Sequence, residues 1–148
     1  MNQGGFIVNV EVAVVRGGRY LGTVRGQAEE YGAGWLGFPG GTVDPDPAAP
    51  HVLEETARRE VLEETGLTLD DPVVYIESHT FTIGSVIVLD IVMLATSTSG
   101  EPRAAASQGE VASVEWLSFE DLLNDVRTQS WTRDSLVLVE RKRQELGW

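Results

Sequence analysis

Alternating apolar and polar residues mark the beginning of the chain as β structure. From Phe6 to Val15 the two kinds of residue alternate, which is typical of a strand with one buried face. Arg16-Gly17-Gly18-Arg19 then provides a turn, and Tyr20 to Arg25 returns as a second strand. The pattern therefore predicts a β-hairpin over residues 6–25.

Three further strands are predicted in the second half of the chain. β-Branched residues are concentrated in Pro72–Ser78 and in Gly84–Ala95, and Val111–Leu117 has the length and composition of another short strand. Between them, Ser97–Gly109 is rich in Ser, Gly, Ala and Pro, and we predict a mobile loop there.

Two helices are predicted after the last of these strands. Ser118-Phe119-Glu120-Asp121 has the residues of a helix start, with Ser118 as the cap and an acidic residue three positions later. A final helix is predicted from Thr132 to about Glu145. The order of strands and helices favours an α/β fold in which a mixed sheet lies between helices.

The most informative helix is predicted in the middle of the chain, from about His51 to Thr65. The preceding segment, residues 44–50, is rich in Pro, Asp and Ala and does not favour a strand or an earlier helix start. Gly66 stands where a left-handed cap is favoured. The apolar stripe of this helix consists of Leu53, Ala57 and Val61.

Three glutamates are grouped on one flank of this helix. Glu60, Glu63 and Glu64 stand at positions i, i+3 and i+4, where like charges repel one another. Glu60 and Glu64 also lie beside the apolar stripe, where a carboxylate is costly unless it is paired or coordinated. A divalent cation with oxygen ligands would stabilise such a group.

A simpler interpretation of the same helix stays open at this point. Glu54–Arg58 and Glu55–Arg59 are spaced four apart and could form surface ion pairs. The helix would then be an acidic surface helix without a metal site.

The segment before the helix supports the metal interpretation. Gly34–Val43 contains Trp35 and Phe38 and leads into Pro39-Gly40-Gly41, which predicts an extended segment that enters a tight turn. Glycine allows the backbone to approach another group closely, so a main-chain carbonyl in this turn can become a metal ligand.

This combination of glycine turn and acidic helix resembles the Nudix hydrolases. Their signature ends in Arg-Glu-aliphatic-x-Glu-Glu-x-Gly-aliphatic, and every fixed position of it is matched by Arg59, Glu60, Val61, Glu63, Glu64, Gly66 and Leu67. The Phe-Pro-Gly-Gly run at Phe38–Gly41 is also how this family usually enters its box. The Nudix box of this chain covers residues 40–67.

The box departs from the family pattern in two ways. The loop between Gly41 and Arg59 is about four residues longer than the family spacing, and His51 stands where the first glutamate of the signature is expected. Asp44 or Asp46 in the longer loop could substitute for that glutamate. These departures concern the loop geometry and the metal affinity more than the type of reaction.

The resemblance implies a fold and a reaction. It implies an α/β/α sandwich with a central mixed β-sheet, formed by residues 1–148 as a single domain. It also implies metal-dependent hydrolysis of a diphosphate bond in a nucleoside diphosphate linked to another moiety. In this family, a proline after the box often marks ADP-ribose enzymes and a tyrosine marks diadenosine-polyphosphate enzymes. Neither residue is present at positions 81–84. A nucleoside triphosphate is therefore favoured, as in MutT-like pyrophosphohydrolases, with a nucleotide-sugar type of substrate as the other candidate.

The resemblance also assigns roles to residues. Mg²⁺ or Mn²⁺ would be held by the Gly40 carbonyl and by Glu60, Glu63 and Glu64. Glu64 would position or activate the attacking water, and Arg59 would be an internal counter-ion for the glutamates.

Further site candidates lie outside the box. Glu110 is a candidate metal ligand or general base, or else an exposed loop residue. Arg25 matches a place where a phosphate-contacting arginine is common. His79 is a weaker candidate base, because a single strand histidine is more often structural. A base could stack on one of four aromatic residues, which are equally compatible with the core: Trp35, Phe38, Tyr31 and Tyr75.

Two other function classes stay open. The chain could be a non-catalytic Nudix-fold nucleotide sensor, although three intact glutamates argue against it. It could also be an acidic protein-interaction domain with an accidental box, for which Mg²⁺ would give no protection from unfolding. The expected partner is a small nucleotide, and a homodimer is left open.

Composition limits the other possibilities. The chain has 148 residues, 42% of them hydrophobic, and no cysteine, which excludes disulfides and thiolate zinc sites. The net charge of −12 argues against binding to nucleic-acid polymers, and divalent metal would reconcile that charge with a phosphate substrate. No secretion signal is recognised, and the longest apolar run, Val86–Ala95, is interrupted by Asp90 and is too short to span a membrane. We therefore expect a cytoplasmic protein.

Overall fold

The computed structural model describes residues 5–44, 48–105 and 109–148. Its strands are β1 (Ile7–Arg16), β2 (Arg19–Arg25), β3 (Leu36–Gly37), β4 (Gly40–Thr42), β5 (Val74–Ile83), β6 (Val86–Thr96) and β7 (Val111–Leu117). Its helices are α1 (Val52–Thr65), α2 (Phe119–Asn124) and α3 (Ser130–Leu146).

All the strands of the described chain belong to one mixed sheet. Its order is β3-β2-β1-β6-β5, with β4 paired to β1 and β7 paired to β2. β1 and β6 run parallel, whereas the other pairs are antiparallel. The predicted α/β fold with a central mixed sheet is therefore confirmed.

The alternation along β1 explains the two layers of helices. One set of its side chains packs with α1 in a first core, which includes Val10, Val12, Val14, Ala57 and Val61. The neighbouring residues point to the other face and form a second core with α2 and α3, which includes Ala13, Val15, Leu122, Leu136 and Val139. Burial of each Val or Leu side chain stabilises the fold by about 1.5–3 kcal/mol, so both layers are held to the sheet mainly by apolar contact.

The predicted hairpin is present. β1 and β2 pair through Val15 with Tyr20 and Arg16 with Arg19. Both glycines of the connecting turn have positive φ angles, 55° at Gly17 and 75° at Gly18. Residues with a Cβ rarely adopt these angles, which is why the turn is made by two glycines.

The second hairpin is longer than the sequence pattern suggested. β5 continues to Ile83, beyond the predicted end at Ser78, because its backbone stays paired with β6 as far as the register Ile83 to Val86. The predicted loop 97–109 contains no strand or helix in its described residues, and its first carbonyls accept hydrogen bonds from the Arg16 side chain. Its mobility stays a prediction, and residues 106–108 lie outside the described chain.

The helix ends agree with their local signals. The Ser118 hydroxyl accepts a hydrogen bond from the Asp121 N–H at 3.1 Å, as the cap pattern predicts. Gly66 has a φ of 77° and its N–H donates to the Leu62 carbonyl, so α1 ends in a left-handed cap. α3 begins at Ser130 rather than Thr132. Among the described residues, no helix is long and apolar enough to cross a membrane.

Candidate active site

The acidic flank of α1 faces a turn of the sheet. Ala57 and Val61 are fully buried against β1, and this orientation brings Glu60 and Glu64 to the edge of the core. The Glu60 side chain is only 14% exposed, whereas that of Glu63 is 56% exposed. As the sequence predicts, Glu60 lies beside the buried face of α1.

Two glycines let the β4 turn approach these carboxylates. β4 pairs with β1, with Gly40 opposite Glu11 and Gly41 opposite Val10. A Cβ on Gly40 would lie 2.2 Å from the Val10 carbonyl oxygen, and one on Gly41 would lie 2.3 Å from Cδ of Glu60. A side chain at Gly40 would collide with the backbone of β1, whereas one at Gly41 would displace the Glu60 carboxylate.

Gly40 and Glu64 are in direct contact. The Gly40 N–H donates a hydrogen bond of 2.8 Å to Oε1 of Glu64. We predicted that the Gly40 carbonyl is a metal ligand, and the observed contact of this residue is through its N–H. The contact fixes one oxygen of Glu64 at the turn.

Arg59 ties the acidic flank to β4. Its guanidinium donates to Oε1 of Glu60 at 2.8 Å and to the Thr42 carbonyl at 3.0 Å. It also lies 3.7 Å from Glu63 and 3.5 Å from Asp44. Arg59 is therefore in the position of an internal counter-ion.

The predicted surface ion pairs Glu54–Arg58 and Glu55–Arg59 are not formed by these described residues. Arg58 pairs with Glu55, three residues away, and with Asp71 beyond the helix, instead of Glu54. Arg59 turns toward the acidic flank instead of Glu55. The reason is geometric, because Arg59 finds a half-buried carboxylate and a backbone carbonyl on that side, where ion pairs are less screened by water.

Burial and crowding perturb the acidic side chains. Burial raises the pKa of Glu64 to about 7, with the nearby Glu60 and Glu110 charges adding to the effect and the Gly40 N–H opposing it. Arg25 also opposes this rise. The pKa of Glu60 is raised, mainly by burial and against the effect of Arg59.

The same perturbations show which distant residues meet here. Glu110 raises the pKa of both Glu60 and Glu64, and Arg25 lowers that of Glu64. Their segments touch, since the Gly26 N–H donates to the Glu110 carbonyl at 3.0 Å. Both candidates from outside the box are therefore close enough to influence its carboxylates.

A cavity of about 550 Å³ opens beside Glu64 and Gly40. Arg25 lines it, together with aromatic side chains from three parts of the chain: Tyr31, Trp35, Phe38, Phe81 and Trp131. The ring centroid of Trp35 is 5.1 Å from that of Tyr31 and 5.4 Å from that of Trp131, both edge to face. The cavity joins an anionic end to an aromatic wall, which suits a nucleotide.

Comparison with known proteins identifies the chain. The family model described as NUDIX domain matches residues 6–146. The chain belongs to the NUDIX family. It is a NUDIX pyrophosphohydrolase, a class of enzymes that acts on nucleoside diphosphate derivatives and generally uses divalent metal ions.

Solved NUDIX structures resemble the whole chain. A MutT NUDIX hydrolase from Burkholderia pseudomallei is 30% identical with a TM-score of 0.72, over 91% of this chain and 98% of that one. A MutT protein from Methanosarcina mazei Go1 is 23% identical with a TM-score of 0.77, over 97% and 99%.

A third solved structure was determined with a ligand. The NUDIX domain of Shewanella oneidensis NrtR, solved in complex with ADP ribose, is 19% identical with a TM-score of 0.68, over 96% and 89%. At these levels the Methanosarcina and Shewanella structures indicate the shared fold. No curated protein matches the chain.

The NUDIX box residues fit a hard divalent cation by their chemistry. The available donors are carboxylate and carbonyl oxygens, and the raised pKa values of Glu60 and Glu64 reflect carboxylates in need of positive charge. In the described ranges, however, no three acidic or histidine side chains already form a group able to hold an ion. Glu60 is engaged by Arg59 and Glu64 by the Gly40 N–H, each through one carboxylate oxygen.

The departures from the box pattern leave the acidic flank intact. His51 is exposed, adopts a left-handed conformation with a φ of 53° before α1, and lies 3.9 Å from Glu54. Asp44 lies 3.5 Å from Arg59, and its substitution for the first glutamate of the signature stays a prediction. Asp46 lies outside the described residues.

Sequence reasoning missed part of the NUDIX cavity. Trp131 was not singled out, because it precedes the predicted start of the last helix, whereas Tyr75 was proposed and is not among the lining residues. The cavity also has a polar wall, which is formed by Asn9, Glu11, His79 and Asp90. Of these residues, the sequence analysis named only His79, as a candidate base, and Asp90, as a break in an apolar run. Burial first, and then Asp90, raise the pKa of Glu11 well above its usual range. The presence of the charged Asp90 inside the apolar strand β6 was the sequence signal from which this polar wall could have been predicted.

Proposed function

We propose that this chain hydrolyses a diphosphate bond of a nucleoside triphosphate, with the reacting phosphates held between α1 and the Gly40-Gly41 turn. The observation that carries the proposal is the place of Glu64. This carboxylate lines the cavity, is fixed at 2.8 Å by the Gly40 N–H, and has a pKa raised to about 7 by burial. A half-buried carboxylate with a raised pKa beside a nucleotide-sized cavity supports a role in the activation of water.

The divalent ion of the family would be held by the box. Glu60, Glu63, Glu64 and the Gly40 carbonyl are the residues that we assign to it. When bound, Mg²⁺ or Mn²⁺ supplies positive charge to the diphosphate oxygens and to the leaving group. Arg59 keeps Glu60 in place through its 2.8 Å hydrogen bond and is therefore a positioning residue.

We assign the attacking water to Glu64 or Glu110 and the phosphates to Arg25. Glu64 accepts a proton from the attacking water or orients it, with Glu110 as the second candidate for this role. Arg25 lines the cavity and donates from its Nε to the Tyr31 carbonyl at 2.8 Å, so its remaining N–H groups are available for phosphate oxygens.

The aromatic wall supports a nucleoside as the remainder of the substrate. Trp35, Phe38 and Trp131 present ring surface to the same cavity that Glu64 lines, and nucleobases stack on such surfaces. The complex of the Shewanella domain with ADP ribose makes that compound the first alternative to a triphosphate.

A substrate panel tests this proposal. Purified protein is incubated with common and oxidised nucleoside triphosphates, ADP-ribose, NADH and diadenosine polyphosphates, with Mg²⁺ and with EDTA. Chromatography identifies the products. We expect conversion of a triphosphate to monophosphate and pyrophosphate, in Mg²⁺ only. Cleavage of ADP-ribose alone would correct the substrate, and binding without cleavage of any compound would contradict the proposed hydrolysis.

A further inference from the structure

Three polar residues form a row across the middle of the sheet. Asp90 on β6 is directly opposite Asn9 on the parallel strand β1 and directly opposite His79 on the antiparallel strand β5. All three line the cavity that Glu64 also lines. The proposed hydrolysis gives none of them a role.

Asp90 is the unusual member of the row. It is 1% exposed, and its Oδ1 accepts a hydrogen bond of 2.6 Å from the Asn9 side-chain amide. Its Oδ2 is buried and takes no hydrogen bond from an amide, hydroxyl or imidazole group of the described chain. The buried carboxyl of Glu11 on β1 also lies against Asp90, and burial first and then the hydrogen bond with Asp90 raise the pKa of Glu11. A buried carboxylate with an unsatisfied oxygen is costly, and the strand neighbours of Asp90, Val88, Val92 and Leu94, are apolar. Such a carboxylate beside a cavity that His79 also lines points to a role in binding.

His79 connects this carboxylate to the cavity. Its Nε2 lies 3.6 Å from Oδ2 of Asp90, and its side chain is 31% exposed. The ring is tilted beside Phe81, with 6.3 Å between ring centroids. His79 can therefore touch a ligand, whereas Asp90 acts through His79.

We propose that His79, positioned by Asp90, contacts the nucleobase of the substrate and selects bases that carry an exocyclic amino group. This inference rests on the proposed function, because it takes the cavity to be the nucleotide site. His79 is the binding residue and Asp90 is its positioning residue.

The selectivity follows from the tautomer of the imidazole. The Asp90 oxygen nearest to His79 can act as an acceptor and lies 3.6 Å from Nε2, so this neighbour favours the form of His79 that carries its proton on Nε2. Nδ1 is then left as an acceptor for the ligand. An amino group of cytosine or adenine can donate to it, whereas the oxo group that uracil or hypoxanthine carries at the same position would face it with a lone pair. An unpaired polar group of this kind costs about tenfold or more in binding.

Asp90→Asn is the decisive variant. The Asn9 amide keeps the oxygen of the new side chain on its own side, so the new NH₂ group replaces Oδ2 and donates to Nε2 of His79. The proton of the imidazole then moves to Nδ1, which becomes a donor. We therefore expect the base preference to reverse, towards oxo-bearing bases. His79→Phe keeps a ring but removes both nitrogens, and it should bring the preference to within about twofold of unity.

The experiment compares kcat/KM for two matched pairs, CTP with UTP and ATP with ITP. Wild type should prefer the amino-bearing member of at least one pair by about tenfold. Asp134→Asn, an exposed change on α3, is the matched control and should leave every ratio unchanged. Nitrogen-15 NMR of the imidazoles, with His51→Gln used for assignment, should show the Nε2–H form of His79 in wild type and the Nδ1–H form in Asp90→Asn.

The outcomes separate this inference from the proposed function. Wild-type ratios within twofold of unity for all pairs, or an unchanged ratio and tautomer in Asp90→Asn, would overturn it while leaving hydrolysis in place. If no nucleotide is cleaved, the hydrolytic proposal fails, and the same pairs are compared by the thermal stabilisation that each nucleotide gives. A preference for the amino-bearing member in that measurement would support the inference, and equal stabilisation would overturn it.

Discussion

At the scale of single residues, the site depends on how closely the turn approaches the helix. Gly41 and Glu60 leave no room for a Cβ between them, since that atom would lie 2.3 Å from the Glu60 carboxyl carbon. The same carboxylate is held from its other side by Arg59 at 2.8 Å. Glu60 is therefore confined between a backbone and a guanidinium, and its position is set by the absence of a side chain.

Gly41→Ala should displace Glu60. We expect a weaker apparent affinity for Mg²⁺ and a loss of stability below about 1 kcal/mol, because the Glu60 carboxylate can move away from the new methyl group. Gly37→Ala is the matched control, because a Cβ at Gly37 would meet nothing within 4 Å. Urea denaturation and a Mg²⁺ titration of activity measure the two effects. Equal effects of the two substitutions would show that contact with Glu60 is not the cause.

At the scale of elements, a charged contact adds to the apolar packing of α3 against the sheet. The hydroxyl of the fully buried Tyr20 donates to Glu140 at 2.6 Å, and Arg143 donates to both oxygens of the same carboxylate at 2.6 and 2.9 Å. The hydrogen bonds from Arg143, and then that from Tyr20, lower the pKa of Glu140. Because Trp131 lies at the first turn of α3, this contact also supports the aromatic wall of the cavity.

Glu140→Gln should cost about 1.5–3 kcal/mol at pH 7, since hydrogen bonds to a charged group are lost. The folded pKa of Glu140 is lowered, so its contribution is present above the unfolded pKa of about 4.3 and is lost as the pH falls through the folded pKa. The denaturation curves of variant and wild type should therefore begin to converge as the pH falls below about 4 and should meet below the folded pKa of Glu140.

Glu145→Gln on the same helix is the control for that change. Glu145 is exposed and lies 3.6 Å from Lys142, so its removal should cost less than about 1 kcal/mol. An equal cost for both substitutions, or a difference that persists in acid, would contradict the assigned contact.

Local patterns were enough to predict most elements but not their pairing. Val111–Leu117, the Ser118 cap and the Gly66 cap depend on residues within a few positions, and all three are as predicted. The parallel pairing of β1 with β6 joins residues about eighty positions apart and has no local signal. The acidic flank could be found because its spacing lies within one helix, whereas the row of Asn9, Asp90 and His79 exists only once three strands are in register.

At the scale of the whole molecule, the net charge of −12 should make the fold responsive to divalent cations. If Mg²⁺ binds the native box and not the unfolded chain, a concentration one hundred times the Kd stabilises the fold by about 2.7 kcal/mol. For a chain of this size the melting temperature would rise by about 5–10 °C.

This prediction separates a specific site from general screening. NaCl of equal ionic strength should give little of the rise, and Glu64→Gln should lose most of it. Glu55→Gln, on the exposed side of the same helix, should keep it. Thermal melting measures all four cases, and equal stabilisation by NaCl would favour an acidic surface without a metal site.

The most direct test of the central claim is the turnover of Glu64→Gln at saturating Mg²⁺. The substitution removes the charge at nearly constant volume, so the fold should persist while kcat falls by about a hundredfold or more. Glu120→Gln, an exposed change on α2, is expected to keep wild-type activity. Turnover of Glu64→Gln close to that of wild type would contradict the assignment of Glu64 and the hydrolytic site built around it.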